Sequence, residues 1–148
     1  MKTLLLILTI SIALYGAKID EFAKKANYER DYNTALIKAK KENKMIMLLV
    51  VADYCPWCKK FEKKTLLHSS VKTVIEDNFI PVVIDKLKEK GKYPKEYGSP
   101  LIPAVYFIDP STEKSLHKTI AYMTKKEYKK NMDEAIKLFE VKENKWKK

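Results

Sequence analysis

The chain has 148 residues, of which 46% are hydrophobic and 33% are charged, and its formal net charge is +11 at pH 7. This length fits one domain with its own core, so a second domain is not expected. Arg30 is the only arginine among the thirty basic residues, and the lysines are spread along the predicted helices. Because phosphate and base recognition draw heavily on arginine, the composition argues against nucleic-acid binding and indicates a lysine-rich, solvated surface.

Residues 1–16 predict an export signal. Lys2 gives a positive start, the stretch 4–14 is almost entirely apolar, and small residues follow it. We therefore expect cleavage between residues 13 and 17, a single mature domain at 17–148, and a periplasmic location. The alternative is an uncleaved anchor, but the apolar stretch is shorter than the roughly 18–20 residues that span a bilayer comfortably.

The next elements lead to the two cysteines. Asp31 is predicted to cap a helix whose apolar residues recur at the spacing of one buried face. Residues 45–52 are apolar at almost every position, which indicates a strand covered on both faces in the middle of a sheet. This strand leads to Cys55-Pro56-Trp57-Cys58, and residues 59–67 predict a helix directly after the motif.

The second half of the chain alternates helices and strands. The predicted elements are a helix capped by Ser69 or Ser70, a strand at 79–85, a loop around a short helix at 86–99, and a hairpin of strands at 104–109 and 115–122. A capping box from Thr124 to Glu127 then begins a long amphipathic helix. This order implies an α/β fold with a central mixed β-sheet and helices on both faces.

Cys55 and Cys58 are the only cysteines, and they have the spacing of a redox-active dithiol. A helix N-terminus carries roughly half a positive charge and several unpaired N–H groups, which stabilise a thiolate. The pKa of a thiol there falls from about 8.5 into the range of about 3.5–7.5. The pair is therefore predicted to exchange disulfides.

Four other interpretations of this cysteine pair are weaker. Structural zinc needs four ligands, and only His68 and His117, which are far apart in sequence and predicted to lie at the surface, could add to the sulfurs. Covalent haem would need histidine where Lys59 stands. An inert structural disulfide usually closes a longer loop, and a binding module could keep its cysteines without using them. We expect no metal and no cofactor.

The order of elements, the Cys55-Pro56-Trp57-Cys58 motif and the Ile102-Pro103 dipeptide just before a strand together resemble the thioredoxin superfamily over roughly residues 31–141. Residues 52–65 look most like exported bacterial members, namely the thioredoxin-like proteins associated with sulfur oxidation and the C-terminal domain of the transmembrane thiol:disulfide interchange reductase. The resemblance implies a thioredoxin-like fold. It also implies a cis proline at Pro103 beside the cysteines, with the preceding backbone hydrogen-bonding an extended client peptide.

The resemblance and the helix start together predict an exported thiol:disulfide oxidoreductase that acts on protein clients. Cys55 is expected to be the attacking thiolate, and Cys58 is expected to resolve the mixed disulfide. Pro56 suits the first turn of the helix and stiffens the motif. Trp57 is expected to lie at the surface and to offer an apolar contact, while Ile102 and Pro103 hold the client's backbone.

Leu49 departs from the pattern of the superfamily. Thioredoxins and many relatives carry a buried carboxylate six residues before the first cysteine, where it helps to move a proton from the second cysteine. With Leu49 there, we expect Cys58 to rely on water or a substrate group, and we expect a narrower range of clients. Asp53 and Glu62 are nearby in sequence, but both are predicted to lie in solvent.

The two residues between the cysteines bear on the direction of electron flow. The middle dipeptide Pro56-Trp57 lacks the histidine of strongly oxidising relatives, and it also lacks the glycine-proline of reducing thioredoxins. The preferred prediction is a reductase fed by a membrane-bound electron donor. The alternative is a non-catalytic peptide-binding or chaperone-like module in which the two cysteines stay locked together.

Overall fold

The computed structural model describes residues 17–146, so the predicted export signal at 1–16 lies outside the described residues. Within the described range, one sheet is formed in the order β2-β1-β3-β4, with β1 parallel to β2 and antiparallel to β3, and β3 antiparallel to β4. Its strands are β1 (Met45–Val51), β2 (Phe79–Asp85), β3 (Ala104–Asp109) and β4 (Lys114–Ile120).

The helices cover both faces of this sheet. They are α1 (Ala17–Ala26), α2 (Tyr32–Glu42), α3 (Pro56–Phe61), α4 (Ser69–Asn78) and α5 (Lys125–Trp146), with a π-helical turn at Glu62–Leu66 and a short 3-10 helix at Lys95–Tyr97. Buried side chains of α2 join one core cluster, whereas those of α1, α3, α4 and α5 join the other. The predicted mixed sheet with helices on both faces is therefore confirmed.

The centre of the sheet is β1, as its uniformly apolar sequence predicts. All seven of its residues are buried. Because side chains alternate between the faces of a strand, Met45, Met47 and Leu49 enter one core cluster while Ile46 and Leu48 enter the other. The strand therefore holds the chain rigidly up to the segment that carries the cysteines.

Several local predictions are confirmed by hydrogen bonds at helix starts. Asp31 caps α2, since its Oδ1 accepts the Thr34 N–H at 2.7 Å. The capping box before α5 is also present, because the Thr124 N–H donates to Glu127 Oε2 at 2.8 Å and the Glu127 N–H donates to Thr124 Oγ1 at 3.4 Å. Both helices therefore begin where the sequence predicts.

Other local predictions are wrong. The cap of α4 is His68, whose Nδ1 accepts the Ser70 N–H, rather than either serine. The last strand ends at Ile120 instead of Tyr122. Helix α1 was not predicted, although its apolar residues bury one face. Among residues 17–146, no helix combines the length and the apolar character that crossing a membrane requires.

Candidate active site

The two cysteines lie where the central strand passes into a helix, and they form a disulfide. A turn after β1, closed by the Cys55 N–H donating to the Ala52 carbonyl at 3.1 Å, brings the chain to the start of α3. Cys55 is the N-cap of this helix, and its Sγ accepts the Cys58 N–H at 3.1 Å. Pro56 occupies the first turn, where its missing N–H costs no hydrogen bond.

The two sulfur-bearing residues differ in exposure. Cys55 is 6% exposed, whereas Cys58 is fully buried. The Cys58 N–H at the start of α3 donates to the outer sulfur, which favours negative charge on that sulfur when the disulfide is opened. The outer sulfur therefore belongs to a residue with a small exposed fraction, and the other sulfur is fully enclosed.

The Ile102–Pro103 segment lies against the outer sulfur. Its peptide bond is cis, and the Ile102 carbonyl oxygen is 3.9 Å from Cys55 Sγ. The Pro103 carbonyl accepts the Ala121 N–H at 2.8 Å, which ties this segment to the end of β4. Lys86 also fastens the preceding loop, since its Nζ donates to the Ser99 carbonyl at 2.8 Å. The structure thus brings together the two motifs that the sequence analysis singled out.

Three exposed apolar side chains, called the rim below, lie close in sequence to the disulfide or to the cis peptide bond. Tyr54, Trp57 and Leu101 are each more than half exposed, at 65%, 56% and 65%. Each is within three residues of Cys55 or of the cis peptide bond along the chain. The predicted exposure of Trp57 is confirmed, and its ring centroid lies 5.8 Å from that of Tyr122, a neighbour that the sequence analysis missed.

Glu62 is buried, so the prediction that it lies in solvent is wrong. The residue is only 3% exposed, and its Oε2 accepts a hydrogen bond from Lys59 Nζ at 3.2 Å. Burial raises the pKa of Glu62 above its ordinary value, and the positive charge of Lys59 offsets part of this shift. Its spacing of four residues from Cys58 places the two side chains on one helix face.

Asp53 also departs from its predicted solvent position. It is half-buried, its Oδ2 pairs with Lys88 Nζ, and its Oδ1 is enclosed with no hydrogen-bond partner among residues 17–146. Leu49, which stands where relatives carry the buried acid, is completely enclosed in the core. The enclosed carboxylate near the cysteines is therefore that of Glu62, at the C-terminal end of α3, and does not come from the central strand.

Tyr28 is a buried residue whose pKa is affected by the charge of Glu62. Burial raises the pKa of the Tyr28 hydroxyl, and the negative charge of Glu62 raises it further. The spacing of four residues between Cys58 and Glu62 was visible in the sequence. The enclosure of Glu62 was not visible, because it depends on segments that are distant along the chain.

The two histidines have local structural roles. His68 is exposed and caps α4, as described above. His117 is half-buried rather than at the surface, since its ring stacks on Phe107 and its Nε2 hydrogen-bonds Asn131 Oδ1 at 2.8 Å. Among residues 17–146, no cluster of three side chains of metal-binding type is arranged to hold an ion.

One outer and one enclosed sulfur on this fold define the class of protein, a thioredoxin-like protein with a Cys-x-x-Cys disulfide. A family model described as thioredoxin-like matches residues 26–110, and the chain belongs to that family. The resemblance found in the sequence is therefore confirmed.

Solved structures share this fold. A thioredoxin from Thermus thermophilus superposes with a TM-score of 0.64 at 19% identity, covering 72% of this chain and 85% of the other. A protein described as DsbH oxidoreductase superposes with a TM-score of 0.61 at 25% identity, covering 74% of this chain and 84% of the other. The reduced C-terminal domain of DsbD from Neisseria meningitidis superposes with a TM-score of 0.59 at 22% identity, covering 70% of this chain and 92% of the other.

Curated relatives match a shorter stretch. The spermatogenesis-associated protein 20 of Rattus norvegicus is 35% identical over 63 residues, which is 43% of this chain. The match spans only 8% of the length of that relative. It is therefore a likeness between one part of each protein.

Proposed function

We propose that the protein is exported and reduces disulfides of protein clients through Cys55 and Cys58. The observation that carries this proposal is the outer sulfur at the start of α3, which lies 3.9 Å from the carbonyl oxygen beside the cis peptide bond. A solved structure described as an oxidoreductase is among those that the fold resembles. Export rests on the sequence of residues 1–17, with its positive start, its apolar stretch and the small residues that follow.

In the proposed reaction the Cys55 thiolate attacks one sulfur of a client disulfide. A mixed disulfide forms, and the client's other sulfur leaves as a thiolate. The deprotonated Cys58 then attacks Cys55 Sγ, which breaks the mixed disulfide and releases the second client thiolate. Two electrons pass to the client, and the product is the Cys55–Cys58 disulfide seen in the structure. A membrane-bound donor is proposed to return the two electrons.

The segments around the outer sulfur are proposed to hold the client. An extended client peptide can add to the backbone at Ile102 as an extra strand, with Pro103 setting the direction of that backbone. Trp57 and the other exposed apolar side chains of the rim then contact the residues beside the client's cysteine. Pro56 keeps the motif stiff, so that both sulfurs stay aligned.

Glu62 is proposed to accept the proton of Cys58 during resolution. In a helix, side chains four residues apart have Cβ atoms roughly 5–6 Å from each other, within reach of a single bridging water. The raised pKa of Glu62 brings it nearer to neutrality, where a general base works best. Glu62 would thereby provide the proton acceptor that the apolar side chain of Leu49 cannot provide.

Adduct trapping tests the exchange function. The Cys58→Ala variant retains the attacking sulfur but cannot resolve, so client-linked adducts should accumulate on non-reducing gels of exported extract. Cys55→Ala is the matched control and should give no adducts through the remaining sulfur. If Cys58→Ala also gives none, a peptide-binding module with a locked disulfide explains the site better.

Two further measurements test direction and export. Equilibration with glutathione gives the reduction potential, and a value near about −120 mV, like that of the strongest oxidants, would overturn the assignment as a reductase. Fractionation of the native host, followed by sequencing of the N-terminus of the mature protein, tests export. A protein retained with its first residues in the cytoplasm would contradict it.

A further inference from the structure

The ammonium group of Lys60 lies over two neighbouring aromatic rings, one of which belongs to the cysteine motif. Its Nζ lies 4.7 Å from the ring centroid of Trp57 and also 4.7 Å from that of Tyr122. Trp57 and Lys60 are three residues apart on α3, so their side chains share a face of the helix. We call Trp57, Lys60 and Tyr122 the ring clamp.

The ring clamp joins the two segments that flank the outer sulfur. Trp57 is part of the cysteine motif itself. Tyr122 directly follows Ala121, whose N–H donates to the Pro103 carbonyl at 2.8 Å. A client bound at Cys55 and along the cis peptide bond would therefore pass close to the clamped ammonium.

Lys60 differs from the other lysines near the site in how its charge is partnered. Lys59 is paired with the Glu62 carboxylate, and Lys88 is paired with Asp53. By contrast, no carboxylate in the described part of the chain, residues 17–146, forms an ion pair with Lys60. The clamp thus leaves an exposed positive charge, fixed in place on an apolar surface.

We propose that the ring clamp selects clients whose reactive cysteine lies beside an acidic residue. The inference rests on the proposed exchange function and gives it a client class. A carboxylate of the client accepts a hydrogen bond from Lys60 while neighbouring apolar groups contact the ring of Trp57. Because the rings already hold the ammonium, little side-chain freedom is lost on binding, in contrast to the many lysines elsewhere on the surface.

The test uses the reduced Cys58→Ala protein and short peptides joined through their single cysteine to thionitrobenzoate. The Cys55 thiolate attacks the peptide sulfur, the bond between that sulfur and thionitrobenzoate breaks, and the coloured thionitrobenzoate thiolate leaves. Three peptides carry Asp, Asn or Lys beside the cysteine. Each rate is divided by the rate of the same peptide with 2-mercaptoethanol, which removes the intrinsic effect of the charge on the peptide.

We expect the normalised rate of the Asp peptide to exceed that of the Asn peptide by about fivefold, the factor for one well-placed surface ion pair. Lys60→Gln should bring this ratio close to unity, whereas Lys60→Arg should preserve it. Lys63→Gln is the matched control, since Lys63 is an exposed lysine just beyond α3 with no aromatic ring against it among the described contacts. That control should also preserve the ratio.

An unchanged ratio in Lys60→Gln would overturn the inference. So would an equal slowing of all three peptides, because Lys60 would then act on the thiolate of Cys55 rather than on the client. If no peptide reacts faster with the protein than with the small thiol, the proposed exchange function fails as well. Failure of the inference alone is distinguished by rapid reaction that does not depend on the neighbouring charge.

Discussion

The backbone N–H of Glu62 donates to the carbonyl oxygen of Cys58, so the two residues stand one helical turn apart with both side chains buried. A buried carboxylate next to a buried thiol can exchange a proton without first moving either group into solvent. This relationship separates two steps of the proposed reaction. Attack by Cys55 uses the outer sulfur and the helix start, whereas resolution by Cys58 requires a proton acceptor inside the fold.

Glu62→Gln should slow resolution and leave the first attack unchanged. Stopped-flow mixing of the reduced protein with a fluorescent peptide disulfide resolves the two steps as successive phases. Loss of a general base typically costs on the order of 10²-fold or more, and we expect the second phase to slow by about that factor. Glu134→Gln, an exposed change on α5, is the control. Equal rates of the second phase in both variants would rule out Glu62 as the acceptor of the Cys58 proton.

The same substitution should alter stability in a pH-dependent way. Burial raises the pKa of Glu62 above its ordinary 4.5, so the folded state favours the protonated carboxyl. The stabilising contribution of this group is therefore complete below 4.5 and is lost as the pH rises through the higher folded value. Glutamine resembles the neutral carboxyl at every pH.

Urea unfolding of the oxidised proteins checks this expectation. The midpoints of the wild type and Glu62→Gln should nearly coincide at about pH 4, and the variant should be the more stable at about pH 7.5. A variant that is less stable at the higher pH would mean that the ion pair with Lys59 outweighs the cost of burying the charge.

Lys86→Met should weaken client exchange through the loop that precedes the cis peptide bond. The Lys86 ammonium donates to the Ser99 carbonyl at 2.8 Å and to the Pro100 carbonyl at 3.4 Å. A hydrogen bond to a charged group contributes about 1.5–3 kcal/mol, and its loss frees the backbone that is proposed to bind the client.

We expect the rate of attack on a peptide disulfide to fall by about tenfold, with no change in the reactivity of Cys55 toward iodoacetamide, a reagent that needs no docking. Lys90→Met, at an exposed position in the same loop, should leave both rates unchanged. Equal losses with the peptide and with iodoacetamide would show that Lys86 affects the sulfur rather than the binding loop.

Contiguous features of the fold were predictable from the sequence. The strand predicted at 45–52 follows from an apolar run, the capping box from Thr124 and Glu127, and the helix predicted at 59–67 from its amphipathic pattern. Each depends on residues close together along the chain. The physical signals involved are side-chain alternation in strands and capping of helices, and both act between residues a few positions apart.

The features that were missed depend on contacts between distant segments. Glu62 is a charged residue, and such residues are almost never buried unless they are paired, so the sequence favours solvent. Glu62 is enclosed near Tyr28, a residue more than thirty positions away along the chain. Tyr122 likewise lies beside the site next to Ala121, whose N–H donates to the carbonyl of the distant Pro103. Spacing along the chain carries no record of either contact.

Lys142→Met should destabilise the fold without affecting the site. Asp109 is 1% exposed at the end of β3, where it pairs with Lys142 and accepts the Ser111 N–H at 2.9 Å. Removing the ammonium leaves a buried carboxylate that has lost its cation. The free energy of unfolding should fall by about 1–3 kcal/mol, the usual cost of depriving a buried polar group of a partner.

Lys137→Met is the matched control for Lys142→Met, because Lys137 is exposed on the same helix. Asp109 and the cis peptide bond lie at opposite ends of β3, so peptide exchange by the folded Lys142→Met protein should match that of the wild type. Urea denaturation of both variants measures the cost. A Lys142→Met protein as stable as the control would show that the hydrogen bonds to Asp109 from the turn are sufficient to stabilise the buried charge.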